Sequence, residues 1–435
     1  MPRARSAGRG FFPLDDELAL LPGQWTPALH EDLVRLSTRL PFREAVSELA
    51  HLKHVTTTEA TARRLTEAAG GASVAWQTAE VERIERTLPA PPAQAARQLV
   101  SPDGAMVPLV HQEWAEVKTV AIGTIQPPVQ KDGETVVQTT ELSYFSRLAE
   151  AETFTHLATV ETQRRGTERA ETVCGVSDGA EWIQGFFDVQ CQAAVRILDF
   201  CHAAGYVAKI GQAHLGEGTS AFQAWLTPTL HELKHGSPDK VLQSLREIQQ
   251  QLQGGTASPE TLDHVGKAIQ YLETRRPHME YACFQAAGYP IGSGSVESGN
   301  KLVVEARLKG AGMHWARAHV DPLLALRNVL CSARWDEDWP QIARQLRHQQ
   351  RAGREQRRQA RRAQRRPAAA MPPSSHPEDL SPRPSAAQAA RRAAEHKPLH
   401  RAGKAHRPAE NHPWRHMPIG RAVFSSRKKQ SSAKL

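Results

Sequence analysis

The chain has 435 residues, a formal net charge of +9 and a hydrophobic content of 40%. These values suffice for at least one sizeable core and exclude a peptide or a wholly disordered chain. The five cysteines form no CxxC pair and no apolar stretch approaches the roughly 20 residues of a membrane span, so a disulfide framework, a zinc ribbon and a membrane anchor are not indicated. A reducing, cytosolic setting is expected.

The N-terminal part of the sequence predicts helices. Residues 28–88 carry apolar positions near a 3.6-residue period, which divides them into three helices, the last closing at Gly70-Gly71. Three short helices fit a helix-turn-helix whose last helix enters a DNA groove, and they fit a plain helical bundle equally well. We therefore expect a helical N-terminal region over 1–90, before the proline-rich stretch 88–98.

The pattern that follows predicts an α/β domain. Residues 97–125 alternate with a period of two and predict three strands, with Asp103-Gly104 at the first turn. Residues 142–165 have a helical pattern. Two strand-turn-helix units come next, at 171–188 and 193–210. Units of this kind after an antiparallel meander are typical of an α/β fold.

The remaining residues predict a helical insertion and a basic tail. Residues 213–289 are helical by pattern and separate the second strand-helix unit from the glycine-rich sequence that begins at residue 290. Residues 341–435 contain 23 lysines and arginines against 5 acids, with few large apolar residues. Such a composition predicts a mostly disordered tail and allows a helix over 341–366. The tail is either a phosphate-binding arm or a solubilising extension.

Three acids stand where an α/β domain exposes side chains to a shared cleft: Asp103, Asp178 and Glu297. Carboxylates suit Mg²⁺ or Mn²⁺, and a pair of such ions can activate a water or a 3′-hydroxyl for attack on a phosphodiester. Each acid also has a plain structural explanation, as a hairpin turn, a lead-in to a helix or a favourable charge in a first helical turn. The residues by themselves leave both interpretations open.

Residues 290–335 read PIGSGSVESGNKLVVEARLKGAGMHWARAHVDPLLALRNVLCSARW. This segment resembles the C-terminal catalytic segment of ISKra-type bacterial insertion-sequence transposases, which are related to Mutator-like elements. The resemblance extends to RGFFPLDDELALLPG (9–23), QLVSPDGAMVPL (98–109) and SDGAEWI (177–183). It covers nearly all of 9–340.

The resemblance implies an RNase H-like catalytic core with a DDE triad. The core would comprise 91–212 and 290–340, with the helical insertion 213–289 between them. Asp103, Asp178 and Glu297 would be the catalytic acids and the ligands of Mg²⁺ or Mn²⁺. Asp199 and His202 match a supporting [C/D]xxH element of the family. His202 would hold the strand end beside the metal site or contact DNA, or else be a satisfied structural histidine.

Three cations come after Glu297: Lys301 lies one helical turn beyond it on the same face, and Arg307 and Lys309 follow. We expect them to contact DNA phosphates or to form a solvated charged face. The implied activity is metal-dependent DNA cleavage and strand transfer by a homo-oligomer on double-stranded DNA, in the bacterial cytoplasm at the nucleoid and without a membrane. The alternative is an inactive or truncated remnant that only binds DNA. The family often carries a cysteine-rich zinc element before the RGFFPLD segment, and this chain reaches that segment at Arg9.

Overall fold

The computed structural model of the protein describes residues 25–91, 97–131, 134–255 and 257–365. The N-terminal segment 9–23 and the tail 366–435 lie outside the described residues. The described residues form a mixed α/β structure, as the sequence predicts. None of their helices combines the length and apolar character that a membrane span requires.

A five-stranded mixed sheet is the centre of the fold. Its strands, in chain order, are β1 (Arg97–Pro108), β2 (Trp114–Ile125), β5 (Thr139–Arg147), β6 (Thr172–Ser177) and β7 (Val195–Leu198). The spatial order is β5-β2-β1-β6-β7, and β2 alone runs antiparallel to the other four. A small hairpin of β3 (Val129–Lys131) and β4 (Glu134–Val136) connects β2 to β5. The first strand therefore lies in the middle of the sheet.

Two predictions about the strands are wrong. Strand β1 runs straight through Asp103-Gly104, and the chain turns only at the short 3₁₀ helix Val110–Gln112. Gly104 pairs with Lys118 of β2, and a Cβ at Gly104 would overlap the Glu116 carboxyl group, so this glycine makes room for a cross-strand side chain. The first residues of the stretch predicted as a helix over 142–165 belong to β5, because they pair with β2.

Helices cover both faces of the sheet. On one face α4 (Ala151–Arg164) and α5 (Glu181–Gln190) bury an apolar cluster rich in phenylalanine against β1, β2 and β5. On the other face lies one continuous helix, Gly294–Leu308. It consists of α11 (Gly294–Gly299), a π-helical turn (Asn300–Glu305) and α12 (Ala306–Leu308). Helix α13 (Arg317–Cys331) packs on the same face. Both predicted strand-turn-helix units are confirmed, as β6 with α5 and as β7 with α6 (Phe200–Leu215).

The helical pattern predicted for 213–289 is also confirmed. Four helices follow α6: α7 (Ser220–His235), α8 (Pro238–Gln253), α9 (Pro259–Thr274) and α10 (Tyr281–Ala286). Ser237 and Ser258 cap α8 and α9, and each is followed by a proline in the first turn. Proline is favoured there because its missing N–H has no intrahelical partner at that position. We refer to α7–α10 as the helical segment.

The N-terminal helices differ from the prediction in length. They are α1 (Pro27–Arg39), α2 (Phe42–Lys53) and α3 (Glu59–Thr87), so α3 continues far beyond Gly70-Gly71. Its buried face packs against α13 and against α14 (Trp335–Arg365). That face is not available to a DNA groove, and at 29 residues α3 is longer than predicted; the helix-turn-helix stays a prediction. The helix allowed over 341–366 is present and begins earlier, at Trp335.

His30 of α1 is a buried histidine with a perturbed pKa. It is 3% exposed, and neither ring nitrogen has a hydrogen-bond partner among the described residues. Burial, with a smaller effect of the nearby Arg64 charge, lowers the pKa of His30 from 6.5 to about 4. The unfolded chain therefore binds this proton at a higher pH than the folded chain does, and stability falls as the pH drops from 6.5 toward 4.

We expect the His30→Phe variant to lose this acid sensitivity. Between pH 7 and pH 5, the wild type should lose about 2 kcal/mol more of its unfolding free energy than the variant does, because an uncharged ring takes up no proton. Urea unfolding at the two pH values measures the difference. His51 is exposed on α2, so His51→Phe should keep the wild-type pH dependence. An equal acid sensitivity in both variants would contradict the expectation.

Candidate active site

Asp103 lies on β1, and Asp178 comes directly after β6, the parallel strand next to β1. The last paired residues of β1 and β6 are Val100 and Gly175, and each acid lies three residues beyond its member of that pair. The Ser101 hydroxyl extends the contact by donating to the Val176 carbonyl at 2.7 Å. Adjacent strands are about 4.8 Å apart, so the sheet itself brings these two acids together.

Asp103 is half-buried on the sheet face that the continuous helix Gly294–Leu308 covers. Burial is the main cause that raises the pKa of its carboxyl group to about 6, and the negative charges of Asp178 and Glu297 raise it further. The Gly104 backbone N–H and the Asn300 side chain donate hydrogen bonds to Asp103 and act in the opposite direction. The charges of Asp178 and Glu297 therefore both act on Asp103.

Asp178 lies in the turn between β6 and α5. Its Oδ1 accepts a hydrogen bond from the Ala180 N–H at 2.9 Å, which fixes the start of α5. The turn is also held from the helical segment α7–α10. The Tyr271 hydroxyl donates to the Asp178 carbonyl, and the Arg275 guanidinium donates to the Gly179 carbonyl at 2.6 and 2.9 Å. Gly179 has φ +76°, a conformation that favours glycine.

Glu297 is exposed on α11, and its carboxylate accepts a hydrogen bond from the Ser293 hydroxyl at 2.9 Å. The start of this helix is tied to the end of β7 by Asp199, which is 3% exposed. Asp199 accepts from the His202 N–H at 2.7 Å, capping α6, and from the Ser293 N–H at 2.6 Å. One buried carboxylate therefore joins α6 to the turn before Glu297. The supporting role of Asp199 stays a prediction.

His202 is exposed on the first turn of α6, beside two stacked tyrosines. Its ring lies edge-on to Tyr206 at 5.3 Å and to Tyr271 at 6.0 Å, and the two tyrosine rings stack at 4.3 Å. The contact with Tyr271 places His202 next to the residue that holds the Asp178 carbonyl. His202 therefore borders the candidate site without touching an acid in it.

The three predicted DNA-contacting cations have different surroundings. Lys301 is exposed. Lys309 is half-buried and forms an ion pair with Glu305 at 2.7 Å. Arg307 is 2% exposed, so its assignment to a DNA-facing surface is wrong. Its guanidinium packs on the rings of Phe42 and Trp315 and donates to a carbonyl at the end of α1. The position of Arg307 in the sequence could not reveal that α1 and α2 cover this side of the helix.

The residue that the sequence did not single out is Asn300. It lies one helical turn beyond Glu297, and its Nδ2 donates to Asp103 Oδ2 at 2.8 Å. The sequence gives no distinct signal for it, because Asn300 stands within the polar stretch Glu297–Lys301 and differs little in character from its neighbours. Whether such a residue points into a core or toward a site depends on the register of a π-helical turn, which no spacing rule predicts.

The donor chemistry of the site fits a hard divalent cation held in an open shell. Asp103, Asp178 and Glu297 offer carboxylate oxygens, the ligands that Mg²⁺ and Mn²⁺ prefer. In the described part of the chain, no three histidine, cysteine or acidic side chains lie close enough to form a complete metal cage. Mg²⁺ is usually bound by one or two carboxylates with waters and substrate phosphates in the remaining positions, so a closed cage is not required.

No protein-family model matches the chain, and no curated protein matches it either. The function of the site is therefore inferred from its residues and from the resemblance of residues 290–335.

Proposed function

We propose that the protein is a DDE transposase, a Mg²⁺-dependent nuclease and strand transferase that acts on the ends of an insertion sequence. The observation that carries the proposal is that Asp103, Asp178 and Glu297, which are 75 and 119 residues apart in sequence, lie near enough in the fold for the charges of Asp178 and Glu297 to act on Asp103. Residues this far apart in sequence are brought near one another only by the tertiary fold, not by local chain structure.

The sheet supports an RNase H-like core. In that fold a five-stranded mixed sheet has its second strand antiparallel and its first strand at the centre, and β5-β2-β1-β6-β7 has this arrangement. The helical segment α7–α10 would then be the insertion between the last core strand and the helix with the third acid. Asp178 follows the carboxyl end of β6 and Asp103 lies just beyond the last parallel pair of β1 with β6, and the carboxyl ends of parallel strands border the usual crevice of α/β sheets.

The roles of the side chains follow from their surroundings. Asp103 and Asp178 would hold the cation from neighbouring strands, and exposed Glu297 would complete the set from the opposite side. The bound Mg²⁺ or Mn²⁺ would supply Lewis acidity for phosphodiester cleavage by water and for attack by the freed 3′-hydroxyl on target DNA. Because Asp103 is partly buried, its carboxylate would attract a cation more strongly than an exposed carboxylate would, since charges interact more strongly away from bulk water.

Helix α14 supports double-stranded DNA as the partner. Trp335, Trp339, Ile342 and Leu346 of its first half are buried against the body of the protein. From residue 344 onward, arginines recur at helical three- and four-residue spacing along one face: Arg344, Arg347, Arg351, Arg354, Arg358 and Arg361. A row of guanidinium groups on a rigidly anchored helix suits a phosphate backbone. A homo-oligomer is part of the proposal, since a transposase must bring two DNA ends together, and the site of action would be the bacterial nucleoid.

Cleavage of DNA that carries the ends flanking the gene tests the proposal. With Mg²⁺ or Mn²⁺, the full chain should cut one strand and leave a 3′-hydroxyl. Asp178→Ala and Glu297→Ala should each reduce the rate at least about a thousandfold, because the members of a catalytic set act as a unit. Asp188 on α5 is exposed and pairs with Arg196, so Asp188→Ala is the matched control and should cleave normally.

Two outcomes would contradict the proposal. Full cleavage by the Asp178→Ala or Glu297→Ala protein would remove these acids from the chemistry. Tight DNA binding by the wild type without cleavage, in either metal, would favour the remnant that only binds DNA.

A further inference from the structure

Asn300 is a buried amide that reaches across the fold to an acid. Its side chain is 6% exposed, and the hydrogen bond from its Nδ2 to Asp103 Oδ2 joins residues that are 197 positions apart. The other amide atom, Oδ1, is buried and has no hydrogen-bond partner among the described residues. Buried polar atoms almost always have partners, and an orphaned acceptor costs stability. Packing by itself would therefore favour an apolar residue at this position.

The backbone around Asn300 has an unusual geometry that is specifically supported. Asn300–Glu305 is a π-helical turn between two α-helical pieces, a geometry that is rare and frequent at functional sites. The buried Arg327 side chain donates to the carbonyls of Leu302 and Val303 within this turn. Such a turn leaves carbonyls without their usual partners, and Arg327 satisfies two of them. The fold thus maintains a local distortion where Asn300 begins.

Gly299 explains how the helix comes near enough to the sheet. A Cβ at this position would lie 2.6 Å from the ring of Tyr144 on β5. Only a residue without a side chain allows the helix to lie against that ring, and the next residue, Asn300, then reaches β1. The close approach, the π-helical turn and the hydrogen bond to Asp103 are parts of one arrangement.

We propose that Asn300 is a positioning residue, which holds the Asp103 carboxylate in place and ties it to the helix that carries Glu297. The inference rests on the proposed function, in which these acids hold a divalent cation. An asparagine suits this position because its N–H donates to a carboxylate without adding charge. A lysine or arginine would compete with the cation, and another acid would repel the three carboxylates already present.

Mn²⁺ binding to the full chain, without DNA, tests the inference. Groups that orient metal ligands typically change metal affinity by 10- to 100-fold when they are removed. We therefore expect Asn300→Ala to weaken Mn²⁺ binding at least about tenfold in a calorimetric or paramagnetic resonance titration. Asn300→Ser, which retains a short donor, should bind Mn²⁺ with an affinity between those of Asn300→Ala and the wild type, and it replaces Asn300→Ala if the latter fails to fold.

Asn328 provides a matched control. It is also buried, at 3% exposure, and its Nδ2 donates to the Ser146 carbonyl of β5 rather than to an acid of the site; its Oδ1 has no hydrogen-bond partner among the described residues. Asn328→Ala should lower the melting temperature without changing Mn²⁺ affinity. In an Asp103→Asn background, Asn300→Ala should have no further effect on Mn²⁺ affinity, because it acts through Asp103.

The outcomes separate this inference from the proposed function. Equal Mn²⁺ affinities for Asn300→Ala and Asn328→Ala would overturn the positioning role while leaving the metal site intact. A wild type whose Mn²⁺ binding is indifferent to Asp103→Asn would overturn the positioning role together with the metal site. Mn²⁺ binding that depends on Asn300, in a protein that does not cleave DNA, would support the positioning role and count against the transposase activity.

Discussion

Replacing Gly70 with alanine is expected to destabilise the protein by about 3 kcal/mol, although alanine is the better helix former. A Cβ at Gly70 of α3 would overlap the carbonyl group of Pro322 in α13 and lie 2.7 Å from the Pro322 Cα. These are backbone atoms, so no side-chain rotation relieves the overlap and the two helices must move apart. The interface that would open is buried: Ala69, Ala72 and Leu326 lie within one apolar cluster there.

Gly71 is the matched control for this experiment. It is the next residue of the same helix, and a Cβ there would meet no atom within 4 Å. Gly71→Ala should therefore stabilise the protein by about 0.5–1 kcal/mol, the usual gain when alanine replaces glycine inside a helix. Urea unfolding of the two variants measures the contrast. Equal effects at the two positions would show that α3 and α13 are not in close contact.

The same pair of glycines shows why sequence reasoning placed the end of α3 wrongly. A glycine pair after a helical pattern predicts a C-terminus, because glycine favours the conformation that ends a helix. Here the cost of glycine inside the helix is offset by the close approach of α13, whose Pro322 lies 252 residues after Gly70 in the chain. Asp103-Gly104 was misread for a related reason. The dipeptide is typical of a hairpin turn, and only the pairing of Gly104 with Lys118 shows that the strand continues.

The candidate site was predictable in part. Asp178 and Glu297 follow local patterns, a strand followed by a turn and a glycine-rich lead-in to a helix, and the structure has both features. Their neighbours depend on tertiary contacts that local patterns do not encode. Arg307 was predicted to be a surface cation and is buried under α1 and α2, whereas Asn300, which no pattern singled out, donates to Asp103. Periodicity identifies a helix, and the surrounding elements decide what each face meets.

Removal of the Arg275 side chain is expected to reduce DNA cleavage about a hundredfold while leaving the protein folded. Arg275 lies at the end of α9 in the helical segment, with its guanidinium 3.8 Å from the ring centre of Tyr271 and hydrogen-bonded to the Gly179 carbonyl. These contacts hold the peptide next to Asp178. A displacement of about 1 Å at a reacting group costs roughly a hundredfold in rate, so Arg275→Met, which keeps the bulk and removes the donors, should be slow.

Arg246→Met is the control within the same helical segment, because Arg246 of α8 is an exposed arginine whose ion pair with Glu273 at 2.6 Å does not reach the Asp178 turn. Both variants lose a positive charge and a hydrogen-bonded pair, so any general effect of charge on DNA binding should appear in both. Only Arg275→Met should lower the cleavage rate at saturating DNA and metal. If both variants cleave at the wild-type rate, α7–α10 are attached to the core without aligning Asp178. Suppose that only Arg275→Met is slow and that its melting temperature is close to that of Arg246→Met. The loss of rate then comes from a displaced Asp178, because a general weakening of the fold would lower the melting temperature as well as the cleavage rate.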